Sequence, residues 1–201
     1  KRTVENLLGI EINYTVKVGF DTVTELVDAL GGVDVYVEPG YALNGFLGDK
    51  NMSVTEGWNH LNGKQALVYS RERYAYTEGD RQRTKNQQQV VMGIIDKMTS
   101  SSVLANYADL MDALGDTFQT TMSTSEIQAL IQYQMDKMPS WTVEQYMVDG
   151  TGDTLMCAEL GQAAYVMVPD QTTVELAKRK IAVVMDGGSS TSITSLDNTT
   201  E

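Results

Sequence analysis

Apolar residues recur along this chain at two spacings, and the change from one to the other marks out its elements. Val23, Leu26, Val27 and Leu30 fall at i, i+3, i+4 and i+7, the buried face of a helix that Asp21 caps and Gly31-Gly32 ends. Residues 33–37, Val-Asp-Val-Tyr-Val, alternate instead as a half-buried strand stopped by Pro39-Gly40. Residues 14–20, rich in β-branched and aromatic side chains, predict a strand before the helix. Residues 3–8 predict a short helix ending at Gly9. Strand, helix and strand joined by short connections are the pattern of an α/β layer.

The pattern then loosens. Residues 38–62 hold Gly40, Gly45, Gly48 and Gly57 and read as a long irregular stretch with room for a small hairpin; a lid or rim for a site and a plain surface loop both fit it. His60 falls there, in what reads as a turn before a helix. Residues 63–68 form a helical turn feeding Tyr69. Residues 69–73 read as extended, with Tyr69, Arg71 and Arg73 on one side and Ser70 and Glu72 on the other. After a break at Thr77-Glu78-Gly79, a helix over residues 80–99 carries one stripe that begins polar with Asp80, Arg83 and Gln87. The stripe continues apolar with Val90, Val91, Ile94 and Met98, while Arg81, Lys85, Gln89 and Asp96 lie opposite. Further helices are expected over 103–114, 125–137 and 172–185, and strands over 141–148 and 164–168. A turn is expected at 150–153. From residue 187 the Gly, Ser, Thr and Asn content predicts a disordered tail, leaving residues 1–186 as one domain.

Composition narrows the function. The 201 residues suffice for one sizeable core, and no apolar run approaches the roughly 20 residues that span a bilayer. The chain starts abruptly at Lys1-Arg2 with no signal peptide and reads as a fragment of something longer. Cys157 is the single cysteine, which excludes an internal disulfide, and its apolar neighbours mark it as a core residue. A hydrolase triad would have to use His60, the single histidine, and no zinc spacing exists. A net charge of −12 argues against nucleic-acid binding.

Against that acidity, four of the six arginines lie between Arg71 and Arg83. Ion pairing with Glu72, Glu78 and Asp80 is the bland explanation of each one. Taken together, Arg71, Arg73, Arg83 and Gln87 converge beside a helix start, where guanidinium forks and free backbone N–H groups suit phosphate oxygens. Arg81 and Lys85 are expected to face solvent. Asp80 has three readings: helix cap, ion-pair partner that orients an arginine, or general base.

At these residues the chain resembles the LytR-CpsA-Psr family. The resemblance rests on Arg71-Glu72-Arg73 followed by Gly79-Asp80-Arg81-Gln82-Arg83-Thr84-Lys85-Asn86-Gln87-Gln88. It is supported by Thr3-Val4-Glu5-Asn6-Leu7-Leu8-Gly9, by the run from Leu26 to Val35, and by that from Leu61 to Tyr69. It covers residues 1–100 closely and is loose beyond. It implies a three-layer α/β/α sandwich with a central mixed sheet, here without its N-terminal portion. It also implies a phosphotransferase that moves teichoic acid or capsular polysaccharide from a polyprenyl-pyrophosphate carrier to peptidoglycan outside the membrane of a bacterium, usually Gram-positive. Arg71, Arg73, Arg83 and Gln87 would hold the pyrophosphate. Mg²⁺ would be held by residues upstream of this chain, as would the membrane anchor. The alternative is a non-catalytic module that binds anionic glycopolymer or a partner protein in the cell envelope.

Overall fold

In the computed structural model, which describes residues 1–100, 103 and 118–196, the chain divides into two compact units: residues 14–141, and residues 1–13 with 142–201. The expected helix over 103–114 lies outside the described residues, apart from residue 103. Among the described residues no helix is long and apolar enough to cross a membrane.

The core of the first unit is built on a strand pair. β2 (Val33–Val37) runs antiparallel to β5 (Gly57–Leu61), with Val33 opposite Leu61 and Val37 opposite Gly57. Alternation sends Val33, Val35, Val37 and Leu61 inward and leaves Asp34, Tyr36, Trp58 and His60 on the outer face. There Tyr36 meets Trp58 edge to face at 5.4 Å, and His60 Nδ1 lies 2.7 Å from Asp34 Oδ1. The Asp34 carboxyl is lowered from its ordinary value, chiefly by that His60 hydrogen bond and then by Lys97. His60 is thus a strand residue, not part of a turn. The stretch 38–62 holds, besides the hairpin β3 (Leu43–Asn44) and β4 (Ser53–Val54), a strand that completes the core. Its four glycines concealed that strand.

Three helices cover the inner face. α2 (Phe20–Ala29) is capped by Gly19 rather than Asp21, which sits in the first turn where a carboxylate complements the helix dipole. α3 (Gly63–Arg71) starts from a reciprocal cap: the Asn62 side chain accepts from the Gln65 N–H at 2.9 Å, and Gln65 Oε1 accepts from the Asn62 N–H at 3.0 Å. Gly63 sits so close to α2 that an added Cβ would lie 2.1 Å from the Thr24 carbonyl oxygen, while its N–H donates to Asp28 at 2.7 Å. α4 (Asp80–Met98) buries Gln82, Asn86, Val90 and Gly93. Its packed stripe is therefore i, i+4, i+8, i+11 from Gln82, and Val91 is 54% exposed. Gln89, expected opposite, accepts from the buried Tyr69 hydroxyl at 2.9 Å. In the same unit, β1 (Val16–Val18), shorter than expected, pairs antiparallel with β6 (Phe118–Thr120). α5 (Thr124–Lys137) opens on a Ser123/Glu126 capping box.

The second unit combines α1 (Arg2–Leu8) with α6 (Gln171–Met185) and the hairpin of β7 (Gly150–Cys157) and β8 (Gln162–Pro169). The turn expected at 150–153 is instead the start of β7. Its glycines admit the partner strand: a Cβ on Gly152 would lie 2.2 Å from the Tyr165 hydroxyl. The strand expected over 141–148 is irregular, because its groups bond to α6 and beyond. The Tyr146 hydroxyl donates to the Thr173 carbonyl at 3.0 Å, and Glu144 binds Lys180 and the Ser190 hydroxyl. The segment expected to be disordered from 187 onward packs as far as it is described, with Ser190 and Ile193 buried.

The α/β class expected from the sequence is the class observed. Within the described residues, the mixed sheet implied by the resemblance is represented by four antiparallel strand pairs.

Candidate functional site

α3 does not stop before Tyr69 but continues to Arg71, with Glu72 as its C-cap. The extended reading of residues 69–73 is therefore wrong, and the reason lies in packing. Tyr69 is 1% exposed and turned into the core against Phe46, and the Asn86 side-chain amide donates to the Tyr69 carbonyl at 3.1 Å. That bond takes up a carbonyl that the helix end leaves free. Arg71 consequently emerges from the helix end, on the side away from Tyr69, with its guanidinium 4.5 Å from the centre of the Phe20 ring. Arg73 follows one residue past the cap and is exposed.

The start of α4 supplies the rest. Gly79 is its N-cap at φ 52°, ψ −106°, a conformation that other residues rarely adopt, so the glycine before Asp80 is a backbone requirement. Asp80 is the first helical residue and not the cap. Its Oδ1 accepts from the Arg83 guanidinium and lies 3.7 Å from Arg73 Nε. One carboxylate thus gathers two arginines at a helix N-terminus. These pairs are half exposed or more on the Asp80 side, and exposed pairs contribute only about 0–1 kcal/mol each. Their effect is on arrangement more than on stability. Gln87 lies one turn beyond Arg83 and is exposed. The structure therefore joins Arg73, Asp80 and Arg83 directly. It places Arg71 at the adjoining helix end and Gln87 on the same exposed flank of α4.

Residues preceding and forming the β3–β4 hairpin wall the cluster. Tyr41 donates its hydroxyl to Glu78 at 2.6 Å, which raises the phenol and lowers the carboxyl from their ordinary values. Lys85 Nζ is 3.7 Å from Glu38 and 5.6 Å from the centre of the Tyr41 ring, so Lys85 is tied to this wall and not simply solvated. Arg81 is exposed, as expected. Phe46, at the hairpin tip, is fully buried, which makes this segment a fixed rim and not a free lid.

Two residues of the site escaped the sequence reading. Asn86 is 0% exposed, and besides holding Tyr69 its side-chain oxygen accepts from Gln82 at 2.9 Å. Its place in the stripe Gln82, Asn86, Val90, Gly93 was the available signal. Glu72, expected to point away, is 3% exposed, and its carboxylate accepts from main-chain N–H groups, that of Arg73 among them.

Mg²⁺ favours near-octahedral oxygen ligation, commonly with carboxylates. Among the described residues no group of three or more His, Cys, Asp or Glu comes together to hold a metal ion. Asp80 is taken by arginines, and the buried Gln82 Oε1, which has no hydrogen-bond partner, is a single amide oxygen. These residues do not fit a magnesium site.

A sequence profile of the LytR_cpsA_psr family matches residues 1–182. The chain belongs to this family. A relative within reach of direct comparison is the polyisoprenyl-teichoic acid–peptidoglycan teichoic acid transferase TagU of Enterococcus faecalis. It is 33% identical over 151 residues, which cover 75% of this chain and 47% of the transferase. Among solved structures, Bacillus subtilis TagV superposes with a TM-score of 0.70 at 28% identity, over 92% of this chain and 68% of that one. TagT bound to LIIa-WTA gives 0.66 at 25% identity, over 90% and 64%. The chain spans half or less of the length of the curated relatives it matches.

Proposed function

We propose that the full-length protein transfers a cell-wall glycopolymer, such as teichoic acid or capsular polysaccharide, from a polyprenyl-pyrophosphate carrier to peptidoglycan. In this reading Arg71, Arg73, Arg83 and Gln87 bind the pyrophosphate. The observation that carries it is the junction of Arg73 and Arg83 through Asp80 at the N-terminus of α4. Two guanidinium groups at a helix N-terminus, where the helix dipole favours negative charge, match a doubly phosphorylated linkage. The name of the E. faecalis relative and the teichoic-acid ligand in the TagT structure support the substrate class.

The chemistry follows from the charge. An acceptor hydroxyl oxygen attacks the phosphorus that carries the glycopolymer. A P–O bond to that phosphorus forms, and the bond to the bridging oxygen breaks. The hydroxyl proton is released, and polyprenyl phosphate departs with the bridging electrons. The arginines neutralise charge on the phosphate oxygens throughout. Asp80, already engaged by two guanidinium groups, orients them rather than accepting the proton. The reaction lies outside the cytoplasmic membrane, to which the full-length protein is anchored.

The test is transfer by the full-length protein from a lipid-linked glycopolymer to peptidoglycan oligomers. Arg73→Ala and Arg83→Ala are each expected to lower the rate about 10²-fold, in the range of losing one preorganised donor. Binding of the polymer without transfer would favour the non-catalytic reading, and variants as active as the parent would sink the arginine assignment.

A further inference from the structure

Glu72 stands between two arginines in the chain, yet the donors to its carboxylate are main-chain N–H groups and not their guanidinium groups. Its Oε1 accepts from three consecutive backbone N–H groups, those of Arg73 at 3.0 Å, Tyr74 at 3.0 Å and Ala75 at 3.2 Å. Its Oε2 accepts from the Leu47 N–H at 2.7 Å, at the tip of the β3–β4 hairpin. The side chain that does this is 3% exposed. Burying an ionised carboxylate is costly unless its oxygens are hydrogen-bonded, and here the donors are all main-chain. Burial pushes the carboxyl up, and the four N–H groups together outweigh burial and bring it below its ordinary value. The carboxylate therefore keeps its charge in this buried position.

We propose that Glu72 is a positioning residue for the anion site: it locks the turn over residues 72–75 to the hairpin rim, so that Arg71 and Arg73 are presented at a fixed distance from Arg83. The proposal rests on the reading of these arginines as pyrophosphate ligands. Its physical content is preorganisation. Arg73 sits on a turn whose first three N–H groups converge on one oxygen, so its backbone has no freedom left to lose when an anion binds. The contact with Leu47, 25 residues away in sequence, extends the constraint to the hairpin, which Phe46 anchors in the core. Nothing in this arrangement requires Glu72 to touch the ligand.

Calorimetric titration with inorganic pyrophosphate tests it. Glu72→Gln keeps the size and one acceptor oxygen but turns an amide N–H₂ toward backbone donors. It is expected to weaken pyrophosphate binding about tenfold or more, with far-UV circular dichroism unchanged. Val174→Ala, at a buried position in the unit of residues 1–13 and 142–201, serves as a variant that loses stability while the proposed anion ligands are unchanged, and is expected to keep the parent affinity within about twofold. Glu72→Asp retains the charge with one methylene less reach, so an intermediate affinity is expected; it carries the test alone if Glu72→Gln does not fold. Parent affinity in Glu72→Gln, or in Glu72→Asp where that variant stands alone, would overturn the positioning role. So would an equal loss in Val174→Ala, since that would trace the effect to stability. A parent protein that fails to bind pyrophosphate would instead overturn the anion-site reading, and the positioning role with it.

Discussion

Asp80 and Asn86 both bind through side chains at the start of α4, yet the physics of the two contacts differs. Asp80 is exposed and pairs with guanidinium groups in water, where screening and side-chain entropy leave little net energy. Asn86 is 0% exposed, and its amide satisfies both the Tyr69 carbonyl and the Gln82 amide. Removing it strands two buried partners. In urea denaturation, Asp80→Asn is expected to cost less than about 1 kcal/mol, and Asn86→Ala about 2–3 kcal/mol. The opposite order would contradict this account. The same contrast explains what could be read from residues alone. The i, i+3 spacing of Asp80 and Arg83 is local, so their pairing was legible. Glu72 was not, because its burial depends on where the Leu47 N–H arrives from a distant hairpin.

At the scale of elements, capping chemistry and polar-apolar alternation each guided part of the chain: alternation marks β2, whereas Asp21 does not cap α2. The Ser123 and Glu126 box opens α5 as the sequence indicates, and Gly9 and Gly31 take positive φ where helix ends were expected. Alternation failed at residues 69–73, where helix α3 continues, and at 141–148, where bonds to α6 replace a strand partner. The glycines of β7 were read as a turn because their use, admitting Tyr165, is visible only across the hairpin. The α5 cap also has a pH signature. Glu126 is lowered to about 2, chiefly by the Ser123 hydroxyl and then by the Tyr14 hydroxyl at 2.5 Å, which ties the chain just before β1 to α5. A carboxyl lowered in the folded state adds stability above its unfolded value near 4.5 and loses it as pH falls toward 2. Carbon-13 titration of the Glu126 carboxyl should therefore show a midpoint near 2 that moves upward in Tyr14→Phe. An unchanged midpoint in the variant would remove Tyr14 from the explanation.

At the scale of the whole molecule, a chain of net charge −12 concentrates four arginines in thirteen positions. The fold then directs them differently. Arg73 and Arg83 meet at Asp80, Arg71 leans on Phe20, and Arg81 stays exposed. Composition pointed to a candidate site, and the helix start and the rim show which of these arginines come together. Membership of the LytR_cpsA_psr family sets the reaction expected of the full-length protein. The central claim concerns the site within this chain, and calorimetric titration of this protein with inorganic pyrophosphate at fixed ionic strength tests it most directly. Arg83→Ala and Arg81→Ala remove the same charge a short distance apart. The account requires binding by the parent, a loss of about tenfold or more in Arg83→Ala, and a change within about threefold in Arg81→Ala. Equal losses in the two variants would reduce the site to net charge, and parent affinity in Arg83→Ala would contradict it outright.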